Sequence, residues 1–402
     1  VRHRRASPPS QGRTGRRAEG TALSLLTINA GSSTLKAAVY DDAVETRLAS
    51  AVIDRAPDAA AFEEALRLLE SQAPDSTRTV RAVGHRVVHG GTELRESTLI
   101  THHVRSAIER VAELAPLHNA PAIAALDIAT ERFRDVPHVA AFDTAFFAHL
   151  PERAVIYPVP WEWRGGWGVR RFGFHGLSHG YASEQAATML GAERSEPRIV
   201  VLHLGNGCSG SAVVGGRPVA TTMGFTPMEG LMMGTRSGSI DPGILIHMLR
   251  SGVAVVALDE QLNRASGLLA VSGVSSDYRK VEEAAREGRP RARLALDMYA
   301  DRARSALAGL AAAMGGMDAL VFTAGIGENA PEMRAKICQG LGFMGIEVDA
   351  RRNRDTREDG DIANHASPVR IFVIRAREDL VLARETLRLY GSHAGSTSSP
   401  GR

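Results

Sequence analysis

The chain has 402 residues, 44% of them hydrophobic and 23% charged, a composition that fits a globular protein and excludes fibrous and intrinsically disordered classes. No apolar run approaches the roughly 18 residues a membrane-spanning helix needs, and the first twenty residues hold no apolar stretch of the kind a secretory signal carries, so neither a membrane nor an exported protein is expected. The net charge of +3 is local: residues 1–20 carry six arginines against Glu19 alone, and the remaining chain is slightly acidic, which argues against a nucleic-acid-binding body or a membrane-surface role.

A chain of this length predicts two domains. Residues 1–20 and the closing "GSHAGSTSSPGR" (391–402) are expected to be disordered tails. "LSLLTI" (23–28) is a short apolar run ending on "NAGSS", the pattern of a buried strand feeding a tight turn. "LKAAVY" (35–40) reads as its returning strand and "VETRLASAVI" (44–53) as a third. "AAFEEALRLLE" (60–70) has helical spacing, and "RAVGHRVV" (81–88) and "HVAAFD" (138–143) read as further strands, the second ending on Asp143. The opening theme then returns: "RIVVLHL" runs into "GNGCSG", "SAVV" follows, and "GGRP" turns the chain again. "DALVFT" (318–323), the turn "AGIGENA" and the helix "PEMRAKICQGL" make a third unit, with Pro331 at a helix start. Two related halves of this kind predict a duplicated α/β fold around a central cleft.

The chemistry gathers at the turns. Glycine turns expose backbone N–H groups to phosphate oxygens, and Ser32, Ser33, Thr34 and Ser209 add hydroxyls, yet neither GxxxxGK[ST] nor GxGxxG occurs. Lys36, one of only three lysines beside 45 arginines, closes the first turn. Arg86 sits in the apolar strand "GHRVVHGG" and Arg236 in "MMGTRSGS". A guanidinium in such surroundings requires an anionic partner, either a neighbouring carboxylate or a phosphoryl group. Asp143 is placed to face a cleft or to cap a helix. His175 and His179 have the spacing of a helical zinc pair but no third ligand nearby, so an imidazole donating to a phosphoryl oxygen is the preferred reading. His118 in "PLHNAP" fits a packed core histidine as well as a site residue. Cys208 and Cys338 offer no disulfide framework and suit a reducing cytoplasm.

These segments carry a family resemblance. "INAGSSTLK", "GHRVVHGG", "PLHNAP", "FDTAF", "RRFGFHGLSH", "HLGNGCS", "MGFTPMEGLMMGTRSGSIDPG", "SGLLAVSGVSSDYR" and "FTAGIGENAPEMR", in this order over about residues 23–390, resemble the acetokinase family, whose fold is that of the actin-like ATPases (sugar kinase/heat-shock cognate superfamily). The resemblance implies two domains of βββαβαβα type, spanning 21–155 and 156–377, with a last helix (378–390) returning to the first. It implies Mg²⁺-dependent, reversible transfer of the ATP γ-phosphate to acetate, with Mn²⁺ as a substitute for Mg²⁺, in a cytoplasmic homodimer with no nucleic-acid or membrane partner. By the same resemblance Arg86, Asp143, His175 and Arg236 form the catalytic group, His175 and Arg236 stabilising the transition state. Val88, Leu117, Phe174 and Pro227, with Arg86, would hold the carboxylate substrate, and Asn29 and Glu378 the metal. Ser32, Thr34, Lys36, His203, Asn206, Gly207, Asp277, Tyr278, Arg279, Gly325, Ile326 and Asn329 would contact the nucleotide. A propionate or butyrate kinase of the same family is the first alternative, and an actin-like ATPase module without acyl phosphate chemistry the second. Three departures stand out: Phe147 where the family usually has histidine, Ser239 where it often has aspartate, and "RAREDL" around Glu378.

Overall fold

The computed structural model describes residues 24–397 apart from 32–33, 113–115 and 192–194. Ser32, the N-terminal tail and residues 398–402 therefore lie outside the described residues. The chain builds two six-stranded mixed sheets. The first contains β1 (Ser24–Ala30), β2 (Leu35–Asp41), β3 (Arg47–Ile53), β4 (Val80–Val87), β5 (Thr98–Leu99) and β6 (His138–Phe142), in the order β3-β2-β1-β4-β6-β5. The second contains β7 (Arg198–Leu204), β8 (Cys208–Val214), β9 (Arg217–Thr221), β10 (Ala319–Thr323), β11 (Gly360–Asp361) and β12 (Arg370–Val373), in the order β9-β8-β7-β10-β12-β11. The orders and directions correspond strand for strand: two antiparallel hairpins, two parallel neighbours, and a short antiparallel edge. The duplication expected from the repeated strand–turn–strand theme is thus present. The two-residue edge strands are additions too short for any periodicity to announce.

Strands covered on both faces read as continuous apolar runs, and β1 and β7 are of this kind: Leu25, Leu26 and Ile28, and Ile199 to Leu202, are all buried. On the first sheet, the helix Ala59–Gln72 begins at Asp58, whose carboxylate accepts from the Ala61 N–H at 2.6 Å, and packs Phe62, Ala65 and Leu69 onto Ile28, Val39 and Val83. On the second, the helix Pro290–Ala313 covers Leu202 and Phe322 with Leu307 and Leu310, while the helix Gly176–Leu190 covers Ile199 and Val201 with Tyr181 and Ala186.

The closing helix, Glu378–Thr397, extends past the expected end at 390 and lies between the sheets. Its Ala383 packs with Leu25, Tyr40 and Ala82, its Leu382 with Ala141 and Leu177, and its Leu380 and Val381 reach the cluster around Ile199 and Val321. Gly84 in β4 allows this approach, because a side chain there would overlap Thr386 and Leu382. Two sequence expectations change in detail. β8 begins at Cys208, so the second glycine turn shrinks to residues 205–207. "AGIGEN" is not a turn: Ala324 takes φ +66° at the strand end and a short helix, Ala324–Asn329, starts there, joined at once by Pro331–Cys338. Buried Arg334 binds the second helix to the first through the carbonyls of Gly327 and Glu328, both at 2.8 Å.

Candidate active site

The carboxyl ends of β1, β4, β6, β7 and β10 converge on one cleft of about 680 Å³, the place where α/β sheets present ligand-binding groups. Arg86, near the end of β4, grips Asp143 with two bonds, Nε to Oδ1 at 3.0 Å and Nη2 to Oδ2 at 2.6 Å. Its third nitrogen donates to Asn29 Oδ1 at 3.0 Å and lies 3.5 Å from Glu378 Oε2. Asn29 Nδ2 in turn donates to Glu378 Oε2 at 3.0 Å. Burial disfavours the charge on Arg86, but Asp143 and Glu378 outweigh it and hold the guanidinium above its ordinary range. Burial pushes the Asp143 carboxyl up, opposed by Arg86 and by the main-chain N–H of His175. For Glu378, burial would also raise the carboxyl, yet Arg86, His203, Lys36 and Asn29 together bring it below the usual value.

Arg236 is different. It is buried, its Nη1 donates to the Pro227 carbonyl at 2.6 Å, and no carboxylate among the described residues pairs with it. Burial accordingly lowers its hold on the proton. Gly207 lies between this guanidinium and His175: a Cβ there would meet Arg236 Nη2 and stand 3.2 Å from His175 Nε2. The segment carrying Pro227 is held in place by Glu229, which accepts from Arg171 Nη2 at 2.7 Å and from the Tyr157 hydroxyl, while Tyr157 Oη accepts from Phe225 N at 2.9 Å. Met232 and Met233 anchor the adjoining stretch in the core.

His175 adopts φ +58° just ahead of the helix Gly176–Leu190, a left-handed conformation that non-glycine residues keep only where their surroundings enforce it. Its ring stacks on His203 at 4.1 Å, and His203 Nδ1 contacts Ser178 Oγ at 2.8 Å. Burial brings His89 and His203 down to about 4, and holds His85, His175 and His179 well below the ordinary imidazole value. Between pH 6.5 and 4 the unfolded chain therefore binds more protons at these residues, and stability must rise with pH across that window. Urea unfolding should show the folding free energy falling on acidification, by up to about 1.4 kcal/mol per pH unit for each histidine. A flat profile would contradict the burial of neutral imidazoles.

Of the residues singled out in the sequence, Asn29, Thr34, Lys36, Arg86, Val88, Asp143, Phe174 and His175 line this cleft. So do His203, Asn206, Gly207, Pro227, Arg236, Gly325 and Glu378. Five others do not. The Asp277 carboxylate caps the helix Tyr278–Arg286 through Arg279 N and also pairs with the Arg279 side chain at 2.7 Å. The Tyr278 ring is buried with its hydroxyl on Glu282, Ile326 is in the core, and Asn329 Nδ2 bonds back to the Gly325 carbonyl at 2.9 Å. Leu117 falls within the helix Pro116–Arg132. Ser209, expected as a hydroxyl at the phosphate-side turn, faces His175 and His179 instead. Glu328, which the sequence did not single out, lines the cleft and accepts from Ala376 N at 2.9 Å. A larger groove of about 780 Å³ lies between helices near Tyr278 and Lys336. Its Arg286–Glu282 and Lys336–Asp297 pairs satisfy one another, and unlike the cleft it presents no convergent catalytic set.

The cleft thus presents the guanidinium groups of Arg86 and Arg236 and the His175 imidazole beside apolar lining from Val88, Phe174 and Pro227, a set suited to anionic ligands. Comparison with known proteins agrees with the geometry. The profile described as "Acetokinase family" matches residues 24–384. An acetate kinase of Cyanothece sp. is 48% identical over 328 residues, covering 81% of this chain and 80% of that protein. The crystal structure of Porphyromonas gingivalis acetate kinase superposes with a TM-score of 0.83 at 36% identity, over 92% of this chain and all of the other. A Francisella tularensis propionate kinase gives a TM-score of 0.84 at 35% identity, over 91% and 100%. On its sequence, its duplicated sheets and its cleft, the chain belongs to the acetokinase family.

Proposed function

We propose that this chain is an acetate kinase that transfers the γ-phosphoryl group of ATP directly and reversibly to acetate, giving acetyl phosphate and ADP. The observation that carries the reading is Arg236, a buried guanidinium with no carboxylate partner among the described residues, in a cleft that is also lined by the apolar side chains of Val88, Phe174 and Pro227. An acetate oxygen forms a bond to the γ-phosphorus while that phosphorus loses its bond to the β–γ bridging oxygen, and ADP departs. The carboxylate is already a nucleophile, so no base is required. The protein must instead bring two anions together and hold the charge spread over the transferring group. Arg236 and His175 would face that group, and Arg86, fixed by Asp143, would orient the acetate, whose methyl would rest on Val88, Phe174 and Pro227. The triphosphate would lie between the Asn29–Lys36 and Asn206–Gly207 turns. The nucleoside would extend toward Gly325, Ile326, Asn329 and the Asp277–Arg279 segment.

Mg²⁺ is expected with the nucleotide. Among the described residues no three His, Cys, Asp or Glu side chains gather as a metal cage, and the single carboxylate of Glu378, steadied by Asn29, suits an ion that takes most of its ligands from phosphate and water. When bound, that ion would neutralise charge on the β- and γ-phosphates. A cytoplasmic setting and a division into halves 21–155 and 156–377 belong to the same reading.

Trapping the product as the hydroxamate, with ATP, Mg²⁺ and acetate, propionate or butyrate, tests the proposal. Acetate should give the highest kcat/KM; a higher value for propionate or butyrate favours the alternative that the Francisella neighbour represents, since one methylene in an apolar pocket changes binding by only about 1–3 kcal/mol. Nucleotide binding with no acyl phosphate formed would remove the kinase reading altogether.

The reading includes a homodimer. The helices Pro242–Arg250 and Val255–Arg264 bury none of their residues, while Ile244, Ile246, Leu249, Val255 and Val256 are exposed, an apolar face suited to a second copy. Sedimentation should give a dimer for the purified chain and a monomer for Val256→Glu; a wild-type monomer would contradict this part.

A further inference from the structure

Behind His175 runs a chain of short polar contacts that the catalytic reading does not use. His175 Nδ1 lies 2.8 Å from Ser209 Oγ, Ser209 Oγ lies 2.7 Å from His179 Nε2, and His179 Nδ1 lies 2.7 Å from Ser211 Oγ. Ser209, Ser211 and His179 are fully buried. Ser209 has one hydroxyl hydrogen and two imidazole neighbours, so it can donate to only one of them and must accept from the other. If Ser211 donates to His179 Nδ1, then His179 Nε2–H donates to Ser209 and Ser209 donates to His175 Nδ1; each contact then has one hydrogen. Reversing the chain makes Ser211 an acceptor and leaves its own buried hydroxyl hydrogen with no acceptor recorded among the described residues, an arrangement native interiors avoid.

We propose that Ser211, His179 and Ser209 act as positioning residues that fix a neutral His175 with its hydrogen on Nε2, the nitrogen beside Gly207 and Arg236, so that it offers an N–H donor to the transferring phosphoryl group. The inference rests on the reading of the site given above. Burial and the neighbouring Arg86 and Arg236 disfavour the imidazolium independently. The His179 ring is also held edge-on by Phe147 at 5.7 Å. The chain moves no proton during the reaction; it fixes where the hydrogen stands and which way the ring points.

The test is ¹⁵N NMR of the full-length protein labelled at histidine, with the His175 signals assigned from a His175→Asn sample. The expected spectrum shows His175 Nδ1 without and Nε2 with an attached hydrogen. A hydrogen on Nδ1 overturns the proposal. Kinetics add a second reading: Ser209→Ala should lower kcat about tenfold with KM for both substrates little changed, and Ser209→Thr, which keeps the hydroxyl, should recover most of it. An unchanged kcat in Ser209→Ala overturns the positioning role. The spectrum needs no activity, so a failure to form acyl phosphate would sink the proposed function while leaving the hydrogen placement decided.

Discussion

Replacing Arg236 by methionine is expected to lower kcat roughly 10²–10³-fold, the loss typical of one group that stabilises developing anionic charge, while leaving the unliganded protein as stable as before or more so. The two effects share one cause. Among the described residues, buried Arg236 has a single hydrogen bond, to the Pro227 carbonyl, and no carboxylate opposite it. Desolvating a charge without a partner costs free energy, and a flexible apolar side chain of similar length removes that cost. A site residue kept at the expense of stability is what a binding function for an absent anion requires. Urea unfolding beside initial-rate kinetics would check both halves; a variant that is inactive but also destabilised by several kcal/mol would mean that Arg236 is structural.

Arg86→Met should lose activity as severely, yet with the opposite effect on stability: a loss of about 3–5 kcal/mol, the scale for breaking a buried ion pair from one side. Asp143 is fully buried and both its oxygens are bonded to Arg86, so removing the guanidinium strands a carboxylate. Restoring shape and neutrality together in Arg86→Met/Asp143→Leu should recover much of the stability and none of the activity. If Arg86→Met unfolds no more easily than wild type, the pair is not the buried ionic contact described above.

The two arginines also show what the sequence could and could not reveal. A guanidinium inside an apolar strand or between glycines marks a site, and both do line the cleft. Whether each met a carboxylate or awaited a ligand was open, and the answer differs: Arg86 has Asp143, and Arg236 has none among the described residues. The duplicated hairpins were legible because apolar runs ending in glycine-polar turns are strong local signals. The helix Ala324–Asn329 was not, since Gly325 and Gly327 argue for a turn and only the left-handed Ala324 converts strand into helix without a loop. Ser209 was misplaced for a related reason: β8 is buried on both faces, so alternation does not tell which face its hydroxyl takes. The four-residue spacing of His175 and His179 did not reveal that both rings meet Ser209, which comes from a strand thirty residues away.

The central claim is that the phosphoryl group in transit supplies the partner that Arg236 lacks. Its most direct test is binding of ADP, acetate and aluminium fluoride, a planar mimic of that group, to wild type and to Arg236→Met. Wild type should bind the three together far more tightly than ADP alone, and the variant should keep its ADP affinity while losing the gain from the mimic. Equal tightening in both proteins would show that the guanidinium does not meet the transferring group.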